Sequence, residues 1–257
     1  MTDPKNTAPA DGDVEPPCPR CDKPLELCVC AGIIPLATRR HVLILQHPQE
    51  HDRELGTAKL TALHFKNATL KVGLSWPNLA KAVGRPVEAR RWAVLYLGPA
   101  KLPPEAQNRP VVLLDRANKP LDPQGQQLVL DDLEGIILLD GSWSQAKTLW
   151  WRNAWLLKSW RIVLNPPRPS RYGRLRKEPR RESVATIEAT AQIMAALENR
   201  NDIAPPLIAS FEALLGKYRA VKKRPRSHAN GTETTADMTA DMTADSGPPG
   251  ETSSPLE

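Results

Sequence analysis

Six short apolar runs constrain the fold of this chain more than any other feature. The clearest is Gly135-Ile-Ile-Leu-Leu-Asp140; His41–His47, Arg91–Leu97, Pro110–Leu114, Gln127–Leu130 and Arg161–Leu164 read the same way. A strand with one wet face alternates apolar and polar residues, whereas apolar residues at consecutive positions belong to a strand covered on both faces. Amphipathic stretches lie between and after these runs and predict helices at Thr57–Asn67, Ser142–Lys158, Thr186–Asn199 and Pro206–Val221. In the second, Ser142-x-x-Gln145 forms a capping box, and Trp143, Ala146, Trp150, Ala154 and Leu157 share one face at helical spacing. Strands alternating with helices give an α/β sandwich.

The chain has 257 residues, enough for one full-sized core with a small appended module. Residues 1–17 are polar, acidic and proline-rich, with neither the basic start nor the apolar stretch of a secretory signal. No apolar run approaches the ~20 residues of a membrane-spanning helix. These features predict a cytoplasmic protein without a membrane partner. Residues 1–17 and 222–257 hold too few bulky apolar residues to offset their ordering entropy and are expected to be disordered. Residues 18–35 then form a cysteine module and 36–221 the main domain.

The net charge of +6 understates the basic bias of the core. Residues 1–17 carry one Lys against four acids, and residues 222–257 carry four Lys or Arg against six acids. Removing these from the 35 bases and 29 acids of the whole chain leaves 30 and 19, a net of +11 for residues 18–221. Such a field attracts polyanions, nucleic acid first among them. The bases are densest at Arg168, Arg171, Arg174, Arg176, Lys177, Arg180 and Arg181, with Tyr172 and prolines interleaved. Arginines can clamp phosphates there, and Tyr172 could stack on an unpaired base; a solvated basic loop is the plainer alternative.

All four cysteines fall between Cys18 and Cys30. In a reducing compartment disulfides are disfavoured, and Cys18-x-x-Cys21 followed by Cys28-Val29-Cys30 offers four thiolates to one tetrahedral zinc ion. A site closed by four sulfurs leaves no coordination position for water, so the expected role is structural.

The run from Gly135 ends in Asp140, turns at Gly141 and enters a capped helix. Ligands of open α/β sheets gather beyond the carboxyl ends of strands, which makes Asp140 a candidate for chemistry. Taken alone, however, such an Asp is commonly a turn or capping residue and Trp143 a core residue. Asp140-Gly141-Ser142-Trp143 resembles the signature of the DTW-domain family, with Ser142 where Thr is usual. Other blocks fit the family in order: the cysteine cluster, Gln46-His47-Pro48-x-Glu50, Gly56-Thr57-Ala58, Ser170-x-Tyr172-x-x-Leu175-Arg176 and Thr186-x-Glu188-Ala189. Together they span roughly residues 18–215.

The resemblance implies a knotted α/β sandwich similar to that of the SPOUT methyltransferases. It also implies transfer of the 3-amino-3-carboxypropyl group of S-adenosylmethionine to a uridine in tRNA. Asp140, Ser142 and Trp143 are then the expected catalytic group. Gln46, His47, Thr57, Ser170, Thr186 and Glu188 are the expected contacts to S-adenosylmethionine, and the arginine belt with Tyr172 is the expected RNA contact. Local readings stand beside these. Thr57 and Thr186 can cap helices, and Glu188 suits the first turn of one; alternatively Glu188 could hold the amino group of the transferred chain. Three rival functions remain at this stage: a SPOUT-like RNA methyltransferase, a non-catalytic zinc-containing RNA-binding protein, and the same transfer to ribosomal RNA.

Overall fold

A computed structural model describes residues 15–51, 53–95, 102, 104–107, 109–176 and 184–223. The expected N- and C-terminal tails, together with Lys177, Arg180 and Arg181, lie wholly or largely outside those residues. Six strands make one sheet in the order β2-β1-β5-β3-β6-β4. They are β1 (His41–Gln46), β2 (Ala68–Val72), β3 (Trp92–Leu95), β4 (Val111–Leu114), β5 (Gly135–Asp140) and β6 (Trp160–Leu164). All neighbours run parallel except β4 and β6, which are antiparallel. The helices are α1 (Ala58–Leu63), α2 (Leu79–Val83), α3 (Pro104–Gln107), α4 (Pro123–Asp132), α5 (Trp143–Arg152), α6 (Thr186–Glu198) and α7 (Ala204–Lys223). None is long and apolar enough to cross a membrane.

The two-sided burial expected of the strands is present. Val42, Ile44, Ile136 and Leu138 face a core shared with α1, α6 and α7. Leu43, Leu45, Ile137 and Leu139 face a second core with α2 and α5. The sheet is thus the middle of three layers, and each fully buried Leu or Ile contributes roughly 1.5–3 kcal/mol of hydrophobic stabilisation. Gly135 lies opposite Trp92 in register, and a Cβ there would approach the indole of Trp92 to 2.5 Å. Glycine at this position is what admits a fully buried tryptophan between sheet and helices.

Three local expectations are corrected. Gln127–Leu130 is not a strand but part of α4: Asp122 caps this helix by accepting from the Gly125 N–H at 2.7 Å, and Pro123 occupies its first turn. No residue of α4 is buried, and Leu128 is 72% exposed, so the apolar triplet there never signified a core strand. The helix expected over Thr57–Asn67 stops at Leu63, and the edge strand β2 follows at Ala68. The helix expected over Ser142–Lys158 breaks at Asn153, whose buried amide donates to the Leu149 and Leu74 carbonyls and accepts from the Trp76 N–H. The tighter 3-10 turn that follows shifts the phase, burying Trp155 and Leu156 and leaving Leu157 exposed.

Candidate active site

Parallel pairing of β1 with β5 sets Gln46 beside Asp140 at the carboxyl ends of both strands. The Gln46 amide donates to Asp140 Oδ2 at 2.9 Å, and the Thr186 hydroxyl donates to Asp140 Oδ1. Thr186 is the first residue of α6, so the carboxylate also meets the positive end of that helix. The chain leaves β1 through His47, whose N–H donates to the Asp140 carbonyl at 2.9 Å. Its ring Nδ1 accepts from the Gln49 N–H and starts a 3-10 turn over Pro48–Glu50. Gly141 lets β5 turn into α5, because a Cβ there would meet Gln145 Cβ at 2.8 Å. The Ser142 N–H donates to Gln145 Oε1 at 2.6 Å, the backbone-donating half of the expected capping box. Trp143 opens α5 half-buried.

Two threonines do something other than cap with their hydroxyls. Thr57 precedes α1, but its Oγ1 accepts from the Ile187 N–H at 3.3 Å, tying the start of α1 to that of α6. Ala185, not Thr186, occupies the N-cap position of α6 and has no side-chain group to cap it; its N–H donates to the Glu188 carboxylate. Glu188 is 1% exposed, and its carboxylate collects donors from both sides of its own loop. Oε2 accepts from Ser170 Oγ at 2.6 Å and the Ala185 N–H at 3.1 Å; Oε1 accepts from the Arg171 N–H at 3.1 Å and from its guanidinium at 3.3 Å. The carboxylate therefore orders Ser170 and Arg171 against the start of α6.

The arginine belt divides in two. Arg171 pairs with Glu188 and Glu212, and Arg176 pairs with Glu50 at 3.5 Å while lying over the Tyr172 ring. Arg168 and Arg174 face solvent. Tyr172 corrects an expectation: it is 2% exposed, donates its hydroxyl to the Leu55 carbonyl at 2.8 Å and meets Phe211 edge-on. Burial leaves no open ring face on which a base could stack.

Cys18, Cys21, Cys28 and Cys30 converge, with their sulfurs all within 4.8 Å of one another. The 18–30, 21–28 and 28–30 pairs are 3.6, 3.7 and 3.5 Å apart. These separations are too long for a disulfide and close to the ~3.8 Å edge of a tetrahedron with metal–sulfur bonds of ~2.3 Å. Four soft donors at that spacing could hold one metal ion. Backbone N–H groups of Cys21 and Arg20 draw the Cys18 thiol down to about 6, while burial pushes Cys21 and Cys30 up. The Arg20 guanidinium donates to the Cys30 and Ile33 carbonyls, and Leu27 is buried, so the loop is part of the α7-side core.

A cavity of about 400 Å³ opens beside the strand ends, lined by the cysteine loop, the end of β1, α1 and β2. Asp22, Lys23, Gln46, Glu50, His51 and Lys59 supply its polar lining, and Ala58, Ala62, Leu63 and Leu70 part of its apolar wall. Lys23 is 7% exposed and donates to the Arg53 carbonyl at 2.7 Å. Burial lowers its ammonium to about 8, against the opposing pull of Cys21 and Asp140. Sequence reasoning missed Lys23 because the cysteine spacing explained its loop without it; a lysine between two metal-type pairs was the available signal. It also missed the bonds from Gln46 and Thr186 to Asp140, which arise from residues far apart in the chain.

These parts define an α/β protein whose mostly parallel sheet holds a carboxylate at a strand end, beside a ligand-sized cavity bordered by a metal-type cysteine loop. The chain belongs to the DTW domain family, whose model matches residues 15–219. It is 30% identical to tRNA-uridine aminocarboxypropyltransferase 2 of Mus musculus over 203 residues, covering 77% of this chain and 62% of that protein. It is 29% identical to the Macaca fascicularis protein of the same name, at the same coverages. With the Drosophila melanogaster protein it shares 26% identity, over 79% of this chain and 74% of that one. The chain thus matches less than two thirds of the length of the two mammalian relatives. No solved structure matched it.

Proposed function

We propose that this chain is a tRNA-uridine aminocarboxypropyltransferase that uses S-adenosylmethionine as donor and N3 of uridine as acceptor. The observation that carries the reading is the buried Asp140 carboxylate, gripped by Gln46 and Thr186 at the edge of a cavity, in a chain of the DTW domain family. The names of its relatives and the net basic charge of the core support it.

In the reaction the N3 lone pair attacks the methylene carbon of the methionine arm. The carbon–sulfur bond breaks, methylthioadenosine leaves with that electron pair, and the N3 proton passes to a base. Because the sulfonium activates three carbons, the geometry of binding selects which is transferred. Asp140 faces the imide and accepts its proton or its hydrogen bond. Gln46 and Thr186 fix the direction of the carboxylate, with Ser142 and Trp143 bounding the acceptor side. His47, Thr57, Ser170 and Glu188 shape the walls around the donor. Arg168 and Arg174 meet RNA phosphates, with Arg180 and Arg181 further along the same belt, while Arg171 and Arg176 hold the loop that presents them. The four cysteines bind zinc, which stabilises the N-terminal loop and takes no part in transfer. A cytoplasmic location and a knotted, SPOUT-like chain path complete the reading; a crystal structure would check that path.

The test is incubation of the purified protein with S-adenosylmethionine and unmodified tRNA transcripts, followed by mass spectrometry of the nucleosides. Aminocarboxypropyluridine together with methylthioadenosine is expected. A methylated nucleoside would instead indicate a methyltransferase, and tRNA binding without modification a binding protein or an rRNA enzyme. Asp140→Asn should lower turnover by roughly 10²–10⁴ with tRNA and donor binding unchanged; full turnover would refute the proton-accepting role.

A further inference from the structure

A cation buried without a counter-charge costs several kcal/mol unless a ligand supplies one. Lys23 is a buried cation whose charge is favoured only at longer range, by Cys21, Asp140, Glu54 and Asp22. It is 7% exposed, lines the cavity beside Gln46 and uses one of its three donors on the Arg53 carbonyl. Among the described residues its ammonium makes no ion pair. Neither Asp22 nor Asp140 pairs with it directly: Asp22 pairs with Lys59 at 2.7 Å, and both Asp140 oxygens take hydrogen bonds from Gln46 and Thr186.

The same lining includes Glu50, 5% exposed. Its carboxylate has one described partner, Arg176, at a loose 3.5 Å. A buried donor cation and an under-used carboxylate sharing one cavity match the two charges of an α-amino acid group. The remaining wall, alanines and leucines of α1 and β2, suits methylenes.

We infer that Lys23 and Glu50 form the subsite for the α-amino acid end of the donor, with Lys23 binding the carboxylate and Glu50 the ammonium. The inference rests on the donor proposed above and adds the place where its charged end is held. Gln46 touches both this cavity and Asp140, so a chain anchored on Lys23 extends toward the strand end where transfer occurs. The cysteine loop consequently presents a substrate-binding residue as well as four sulfurs. An RNA phosphate is a poorer occupant, because the buried Glu50 carboxylate in this ligand-sized, partly apolar cavity repels a polyanion.

The experiment compares three ligands by calorimetry on the full-length, metal-loaded protein. They are S-adenosylmethionine, its decarboxylated form and methylthioadenosine, which lacks the amino acid group. For the unaltered protein, losing the carboxylate should weaken binding about 10- to 100-fold, the range of one charge-assisted hydrogen bond. Lys23→Met should weaken S-adenosylmethionine to the same extent and leave the other two unchanged, with Lys23→Arg partly restoring it. A purely structural Lys23 would instead weaken all three ligands together. That result overturns the inference, as does equal binding of the first two ligands to the unaltered protein. Loss of tRNA affinity with donor affinity intact would also overturn it and favour a phosphate. If Lys23→Met does not fold or loses its metal, the comparison on the unaltered protein decides. A protein that shows this ligand discrimination yet modifies no uridine would refute the transfer reading while leaving the subsite in place.

Discussion

Replacing Glu188 by Gln separates an ordering role from a ligand-binding one. The carboxylate accepts four hydrogen bonds, two at each oxygen, from Ser170, Ala185 and Arg171. An amide of the same shape must turn its NH2 toward one of these pairs. Facing Arg171, it would meet two donors that cannot reverse. Facing Ser170 and Ala185 is the cheaper choice, because the Ser170 hydroxyl can rotate to accept and only the buried Ala185 N–H loses its partner. That loss costs about 1–3 kcal/mol. Weakening the ion pair to the one-third-exposed Arg171 adds up to about 1 kcal/mol after solvent screening. The expected destabilisation is therefore about 1–4 kcal/mol, read as a lower urea midpoint at unchanged slope. For a domain of this size it corresponds to a fall in Tm of about 2–4 °C per kcal/mol. A loss below about 1 kcal/mol, with S-adenosylmethionine affinity reduced, would show that Glu188 holds ligand rather than loop and would refute the reasoning.

Other perturbations test other layers of the structure. Stripping metal with a strong chelator, or Cys21→Ser, should loosen residues 18–33 and lower thermal stability, with about one metal ion per chain lost by elemental analysis; unchanged melting and metal content would remove the metal-site assignment. Gly135→Ala forces a methyl into the Trp92 indole and should cost at least about 1–3 kcal/mol in urea unfolding. Burial holds His64 down to about 4, with Arg20 adding repulsion, so its neutral form is favoured on folding. The contribution of His64 is fully present above the usual ~6.5 and is lost as pH falls from there toward 4, by roughly 2 kcal/mol after allowance for partial solvation. His64→Gln should flatten that part of the stability profile, and identical slopes in the two proteins would exclude His64 as its source.

The sequence by itself determined what depends on neighbours along the chain. Consecutive apolar positions in β1 and β5 require strands covered on both faces, and the cysteine spacing alone indicated a metal-type loop. Asp140 could be placed at a strand end because the apolar run stops at it and a glycine turn follows. Local pattern failed where burial was only partial, as in α4, where Val129 and Leu130 are half-buried and Leu128 is exposed, and in the half-buried edge strand β2. Tertiary structure decided which residues meet. Gln46 and Asp140 are 94 residues apart and touch only because β1 and β5 pair in one register. Packing of α6 against α1 carries Thr186 to Asp140 and aims Glu188 at Ser170 rather than at open space. Burial also turned Tyr172 from a candidate stacking surface into a core residue, and Lys23 from one basic residue among many into a cation facing a cavity. Chemistry at the level of residue types is written locally; charge without a partner, and the space beside it, exist only once distant segments have packed.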